Sequence, residues 1–242
     1  MVLYLNNLNY VEDGGIVMYF DSSIIILLPA LIIAAYAQFK VSSTFEKYSK
    51  YGSRNGYNGA QVARILLDSN GLYSVPVEVI PGKLTDHYDP TKRVMRLSQE
   101  VFYGNSVAAI GVAAHETGHA IQHSKQYAPL VIRNSIVPVV NFGSSVSWIL
   151  FFAGMIFGLK GLVSLGIILF SAVVIFQIIT LPVEFNASSR ALKILDAKGI
   201  LYPEELSMAK SVLSAAAMTY VAAALTAIAN LLRLIVISRR DD

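Results

Sequence analysis

His115-Glu116-Thr117-Gly118-His119 is the part of this chain whose residue types and spacing could do chemistry. A helix advances about 100° and 1.5 Å per residue, so positions i and i+4 share a face roughly 6 Å apart along the axis. Both imidazoles can then reach one metal ion while Glu116 points at a water bound to it. That is the HExxH arrangement of zinc hydrolases. The residues before it, among them Val107, Ala108, Ala109, Ile110, Val112, Ala113 and Ala114, predict a helix buried on almost every side. Unpaired imidazoles and a carboxylate would be costly there. The chain has no cysteine, so any ion must be held by His and carboxylate side chains, and Zn2+ is the expected metal.

The elements that position this helix belong to a membrane protein. Of the 242 residues, 55% are hydrophobic and 14% charged, with a mean hydropathy of +0.55, beyond the range of an ordinary soluble domain. Residues 16–37, 136–159 and 161–183 each reach the roughly 20 apolar positions that cross a bilayer. Residues 212–237, rich in alanine and carrying Asn230 and Arg233, read equally well as a fourth span or as a helix packed on the catalytic domain. Ala35-Tyr36-Ala37 looks like a signal-peptide cleavage site. However, Glu12, Asp13 and Asp21 precede it and the first basic residue is Lys40, the reverse of a signal peptide, so the segment reads as an anchor. A net charge of +3 without a basic stripe gives no footing for nucleic acid as a partner. A transport pathway would be marked by charges inside the spans, and past Asp21 the three clear spans are almost empty of them.

Lys40, Lys47, Lys50 and Arg54 follow the first span, so the positive-inside rule puts residues from about 40 to 133, and the HExxH helix, in the cytoplasm. The next two spans form a hairpin with Leu159-Lys160-Gly161 as its turn. Two crossings return the chain to the side it left. Glu184, just past Pro182, therefore lies on the side of His115 and His119 and is the expected third ligand, leaving a fourth position for water. Asp196 competes, but the Lys198-Gly199 that follows reads as a solvated helix end. Glu204 and Glu205 follow Pro203 as the acidic first turn of another helix.

In the cytoplasmic segment Asn58 is expected to cap a helix through Leu67. Residues 77–80 and 93–97 read as strands, the second an edge strand because charge lines one of its faces. Ser98 or Asn105 would cap the helices that follow. Such an edge could take up an extended peptide by added β-pairing. His123 lies about 12 Å from His115 along the helix, too far to share its ion, and does not have the metzincin spacing. It is expected to orient neighbours or substrate, or to cap the helix end. His87, within Thr85-Asp86-His87-Tyr88-Asp89-Pro90, reads as part of a polar loop.

Four segments carry a family resemblance over most of the chain: Ala37 to Ser43, Gly82 to Pro90, Ala113 to His123 and Leu181 to Ser188. Through them the chain resembles the YugP-like neutral zinc metallopeptidases of bacterial membranes. More distantly it is similar to HtpX and the CAAX prenyl endopeptidases, which also place a membrane hairpin between HExxH and a glutamate ligand. The resemblance implies a gluzincin-type site, with His115, His119 and Glu184 on zinc and Glu116 as base. Those distant relatives carry an aspartate four residues after the ligand glutamate. This chain has Ser188 there, with Asn186 nearby, and Arg190 stands where relatives have a basic residue.

The expected fold is a mainly α membrane protein with a zincin-like (gluzincin) α+β core, a small β-sheet and an interrupting transmembrane hairpin. Residues 1–39 would hold the N-terminal region and first transmembrane helix, and 40–135 the cytoplasmic zincin part with the HExxH helix. Residues 136–183 would form the hairpin, and 184–242 the third-ligand helix and a C-terminal apolar helix completing the catalytic domain. The expected function is a zinc endopeptidase in the bacterial plasma membrane, its site facing the cytoplasm. Its partners would be the lipid bilayer and a peptide or membrane-protein substrate. The alternative is a non-catalytic metal-binding scaffold, against which the intact Glu116 speaks, since a scaffold needs ligands and no base. Arg190, His123 and Tyr220 are the candidate donors to the oxyanion.

Overall fold

The structure, a computed structural model, describes residues 22–239. A 3-10 turn (Ser22–Ile26) leads into α1 (Leu28–Ser49) and α2 (Gly59–Ser69). Three short strands follow, β1 (Val77–Ile80), β2 (His87–Asp89) and β3 (Val94–Ser98), and then the one-turn helix α3 (Gln99–Tyr103). The HExxH helix α4 (Val107–Ser124) precedes three long helices, α5 (Ala128–Phe157), α6 (Lys160–Ala197) and α7 (Pro203–Ser238).

Helix α4 is the element around which the half of the chain holding the HExxH motif is assembled. Its first turn is capped by Ser106, whose Oγ accepts the Ala109 N–H at 3.1 Å; neither Ser98 nor Asn105 serves as a side-chain cap, Ser98 standing before α3 without such a bond. The run of small residues lets neighbours approach from several directions. Ala109 and Ala113 join Leu67, Met95, Leu97 and Val212 in one cluster. Val107, Ile110 and Ala114 join Val62, Leu66, Leu195 and Leu213 in another. The tightest approach is at Gly118, where a Cβ would lie 2.6 Å from the Ala187 carbonyl oxygen of α6. Helix α2 begins at the expected Asn58, whose Oδ1 accepts the Gln61 N–H at 2.8 Å while Gln61 Oε1 accepts the Asn58 N–H at 3.0 Å.

The sheet corrects the strand reading. Its order is β1-β3-β2, with β3 parallel to β1 and antiparallel to β2, so the strand expected at the edge is the central one. Charge on its face has a different cause: Arg96 reaches Glu78 of β1 at 3.4 Å and Asp89 of β2 at 3.1 Å, and is neutralised from both sides. His87, expected in a loop, opens β2, which is an edge of the sheet. Asp86 pins the preceding segment by accepting the Ser98 N–H at 2.7 Å and the Ser98 hydroxyl at 3.2 Å. Met95 donates its N–H to Pro76 on the β1 side at 2.9 Å. Tyr88, paired with Met95 in the register, therefore turns its own N–H away from β3 and out of the free edge.

Helices α5, α6 and α7 are the described helices long and apolar enough to cross a membrane. Helix α6 has 38 residues, about 57 Å against a hydrocarbon core of about 30 Å. It runs through Pro182 without a break, so the third span and the Glu184 helix are one element. The hairpin turn is Gly158-Leu159, shifted from the expected Leu159-Lys160-Gly161; Gly158 takes the left-handed conformation (φ 65°) that lets α5 end there. Helix α7, expected over residues 212–237 either to span or to pack, is long and apolar enough to cross a membrane and also packs on α4. Val212 and Leu213 pack beside α4, while Ala227 and Leu234 pack with Phe151, Val163, Phe170 and Val174 of the hairpin. Of the expected span 16–37, residues 16–21 lie outside the described residues and the rest forms the 3-10 turn and the start of α1.

Gly118 sets how closely α4 and α6 can approach. Alanine there would gain about 1 kcal/mol of helix propensity. The carbonyl it meets belongs to the backbone, however, and overpacking costs about 1–3 kcal/mol. Gly118→Ala is expected to lower the Tm and weaken zinc retention together. A variant matching wild type in both would show that this contact does not set the helix spacing.

Candidate metal centre

The i, i+4 spacing on α4 brings the two histidines together with their Nε2 atoms 3.1 Å apart. From α6, the Glu184 Oε2 lies 3.3 Å from each of them. Tetrahedral bonding at about 2.0–2.1 Å separates neighbouring ligand atoms by about 3.3–3.4 Å, so these spacings match the edges of a zinc tetrahedron. Glu184 is 3% exposed. Its Oε2 is buried without a hydrogen bond of good geometry, even though both imidazole nitrogens face it. An orphaned buried carboxylate oxygen is expensive, and a shared cation is the natural partner for these three atoms. His115, His119 and Glu184 form one potential metal-binding group among the described residues.

The remaining atoms of the ligands are held by neighbours. His115 Nδ1 lies 3.1 Å from Ser188 Oγ, and His119 Nδ1 lies 3.0 Å from Gln122 Oε1. Glu184 Oε1 is 3.8 Å from Arg133 Nη1 of α5, and Tyr220 of α7 lies near the Glu184 carboxylate. Glu116 is buried beside the cluster, and its Oε2 accepts the outward-pointing Tyr88 N–H at 3.0 Å. Burial pushes the Glu116 carboxyl above the usual range, against the opposite pull of His115 and His119. For His119, burial opposes the charged form, but the Glu184 and Glu116 carboxylates outweigh it and raise its pKa.

The other candidates are engaged with other partners or surfaces. Arg190 donates its Nε to Asn186 Oδ1 at 2.7 Å and lies over the Tyr127 ring. His123 Nδ1 is 2.9 Å from the Tyr88 hydroxyl. His87 is exposed, with Nδ1 2.8 Å from the Thr85 carbonyl oxygen. Among the competing carboxylates, Glu205 accepts the Arg54 and Tyr202 N–H groups at 2.8 Å each, and Glu204 pairs with Arg54 at 3.1 Å. Asp196 lines a cavity of about 770 Å³ between α6 and α7.

Sequence reasoning did not single out Gln122, Arg133 or Tyr88. Gln122 carried a usable signal, being one helical turn beyond His119. Arg133 and Tyr88 reach the site only through tertiary contacts, which no local pattern announces.

The chain belongs to the neutral zinc metallopeptidases: the family described as "Putative neutral zinc metallopeptidase" matches residues 23–239. Its metal is zinc, and the three convergent side chains are suited to holding it. The chain is also 56% identical over 221 residues to "Putative membrane protease YugP" of Bacillus subtilis (strain 168), covering 90% of this chain and 98% of that protein. No solved structure matches the chain.

Detergent-purified wild type is expected to carry about one zinc per chain, the stoichiometry of a single closed ligand set. Glu184→Ala, checked for folding by circular dichroism, should lose most of it by elemental analysis. A variant that keeps its zinc would move the third ligand elsewhere.

Proposed function

We propose that this protein is a membrane-embedded zinc endopeptidase of the gluzincin type, which cleaves membrane-associated proteins, or proteins at the cytoplasmic face, beside the bilayer. The observation that carries the reading is the convergence of two imidazole nitrogens and an orphaned carboxylate oxygen beside a second buried carboxylate, Glu116. A scaffold would need only the first three. When bound, zinc supplies a Lewis acid that acidifies water and polarises the scissile carbonyl.

Glu116 acts as the general base, taking a proton from the attacking water and passing it to the leaving amine. A carboxyl whose proton affinity is raised by burial suits both halves of that role. Of the three expected oxyanion donors, Tyr220 is favoured, because its partner is Glu184, one of the three convergent side chains. Arg190 and His123 are engaged with Asn186 and Tyr88 instead.

The substrate strand is proposed to pair with the free edge of β2, replacing the earlier expectation for residues 93–97. The Tyr88 N–H points out of that edge, which supports the reading; Glu116 Oε2 accepts it here, and a substrate carbonyl would take that place. The four basic residues between Lys40 and Arg54 support a cytoplasmic site in the bacterial plasma membrane.

Glu116→Gln is expected to keep its zinc while cleavage of an unfolded protein such as casein falls by about 10²–10⁴-fold. Full cleavage by the zinc-loaded variant would remove Glu116 as the base. Tyr88→Pro deletes an N–H that the β2–β3 ladder does not use and that Glu116 Oε2 accepts. It should raise KM well beyond the change in Tyr88→Ala, whereas equal KM values for the two variants would count against strand pairing there.

A further inference from the structure

One side chain of α4 is fully buried, polar and unused by the mechanism: Gln122, at 0% exposure. Its surroundings define which way round its amide stands. The Val183 carbonyl of α6 can only accept, and it lies 2.8 Å from Gln122 Nε2. On the other side Arg190 can only donate, and its Nε lies 2.7 Å from Asn186 Oδ1. That fixes the oxygen of Asn186 toward the network, and the same oxygen accepts Gln122 Nε2 at 3.0 Å. With both neighbours requiring its nitrogen, Gln122 must turn Oε1 to His119 Nδ1, 3.0 Å away.

An amide oxygen accepts and does not donate, so His119 Nδ1 must carry the hydrogen. The Nε2 lone pair is then left facing His115 and Glu184. Each contact falls on a helical repeat: His119 and Gln122 one turn apart on α4, and Val183, Asn186 and Arg190 along one face of α6. The close approach at Gly118 brings the two faces within reach.

We propose that Gln122 is a positioning residue that holds His119 in its metal-binding tautomer, and that Arg190 acts on the metal only through Asn186 and Gln122. Arg190 is thus assigned to setting zinc affinity from a distance, in place of donating to the transition state. The network is neutral at the histidine, since an amide stands where a carboxylate often backs a metal-bound imidazole. The proposal rests on His119 being a ligand.

The test is the zinc dissociation constant of the full-length, detergent-purified protein, measured by chelator competition, with the Tm of each metal-free variant as a folding control. Gln122→Leu is expected to weaken zinc binding about 10- to 100-fold. Arg190→Ala and Asn186→Ala should each weaken it about 3- to 30-fold. Arg190→Ala should add no further loss in the Asn186→Ala or Gln122→Leu background. The visible bands of the cobalt-loaded protein should shift in Arg190→Ala, which a purely structural role would not produce. Unchanged affinity in Arg190→Ala or Asn186→Ala overturns the proposal, as do losses that multiply in the double variants. His119→Ala with wild-type affinity would remove the ligand assignment itself. That result differs from a failed relay, in which His119→Ala loses zinc but Arg190→Ala does not.

Discussion

Everything in the catalytic half depends on how closely α4 and α6 can approach. Ligand atoms on different helices must come within about 3.3–3.4 Å of one another to share a zinc ion, and side chains as short as Glu and His can bridge only a narrow range of axis separations. A hydrogen at position 118 sets that range, because any larger group meets a carbonyl of the neighbouring helix. The alanines of α4 extend the same logic to α2, the sheet and α7. A helix made of small residues would be unremarkable in isolation. Here its small size allows several elements to converge on one short segment.

That convergence makes the membrane part an integral component of the site. Glu184, its ion-pair partner Arg133 and the nearby Tyr220 all come from helices long and apolar enough to cross a bilayer. Burying Glu184 among apolar helices without a cation would be strongly unfavourable. Two imidazoles and a nearby guanidinium offset part of that cost, and a metal ion held there would offset the rest. Around this group, the buried side-chain atoms left without a hydrogen bond are Oε2 of Glu184 and Nε of Arg133.

The legible parts of the molecule were those governed by local periodicity. Two histidines and a glutamate at helical spacing, an apolar hairpin and a carboxylate just beyond it were sufficient to infer the grouping of His115, His119 and Glu184. The Asn58 cap was equally local. The strand order was harder to read, because Arg96 has the same pattern whether it faces water at an edge or carboxylates on both neighbouring strands. His87 looked like a loop because β2 is three residues long and takes its stability from pairing with β3. Pro182 marked a boundary in the sequence, but packing on both sides carries the helix through it. Arg133 and Tyr88 had no signal at all, since their importance comes from partners distant in the chain.

The unbroken course of α6 has a consequence for how such a chain can change. Where a loop joins a span to a ligand helix, residues can be added or lost with little effect on either. Here one added residue between the hairpin and Glu184 would rotate one half of α6 against the other by about 100°. The apolar surface would then face the wrong neighbours, or the carboxylate would leave the ion. Short insertions restore the phase to within about 20° only near seven or eleven residues, and they lengthen the rod by about 10 or 16 Å. The distance from the apolar hairpin to Glu184 is therefore quantised by the helical repeat, and this stretch should tolerate substitutions far more readily than changes in length.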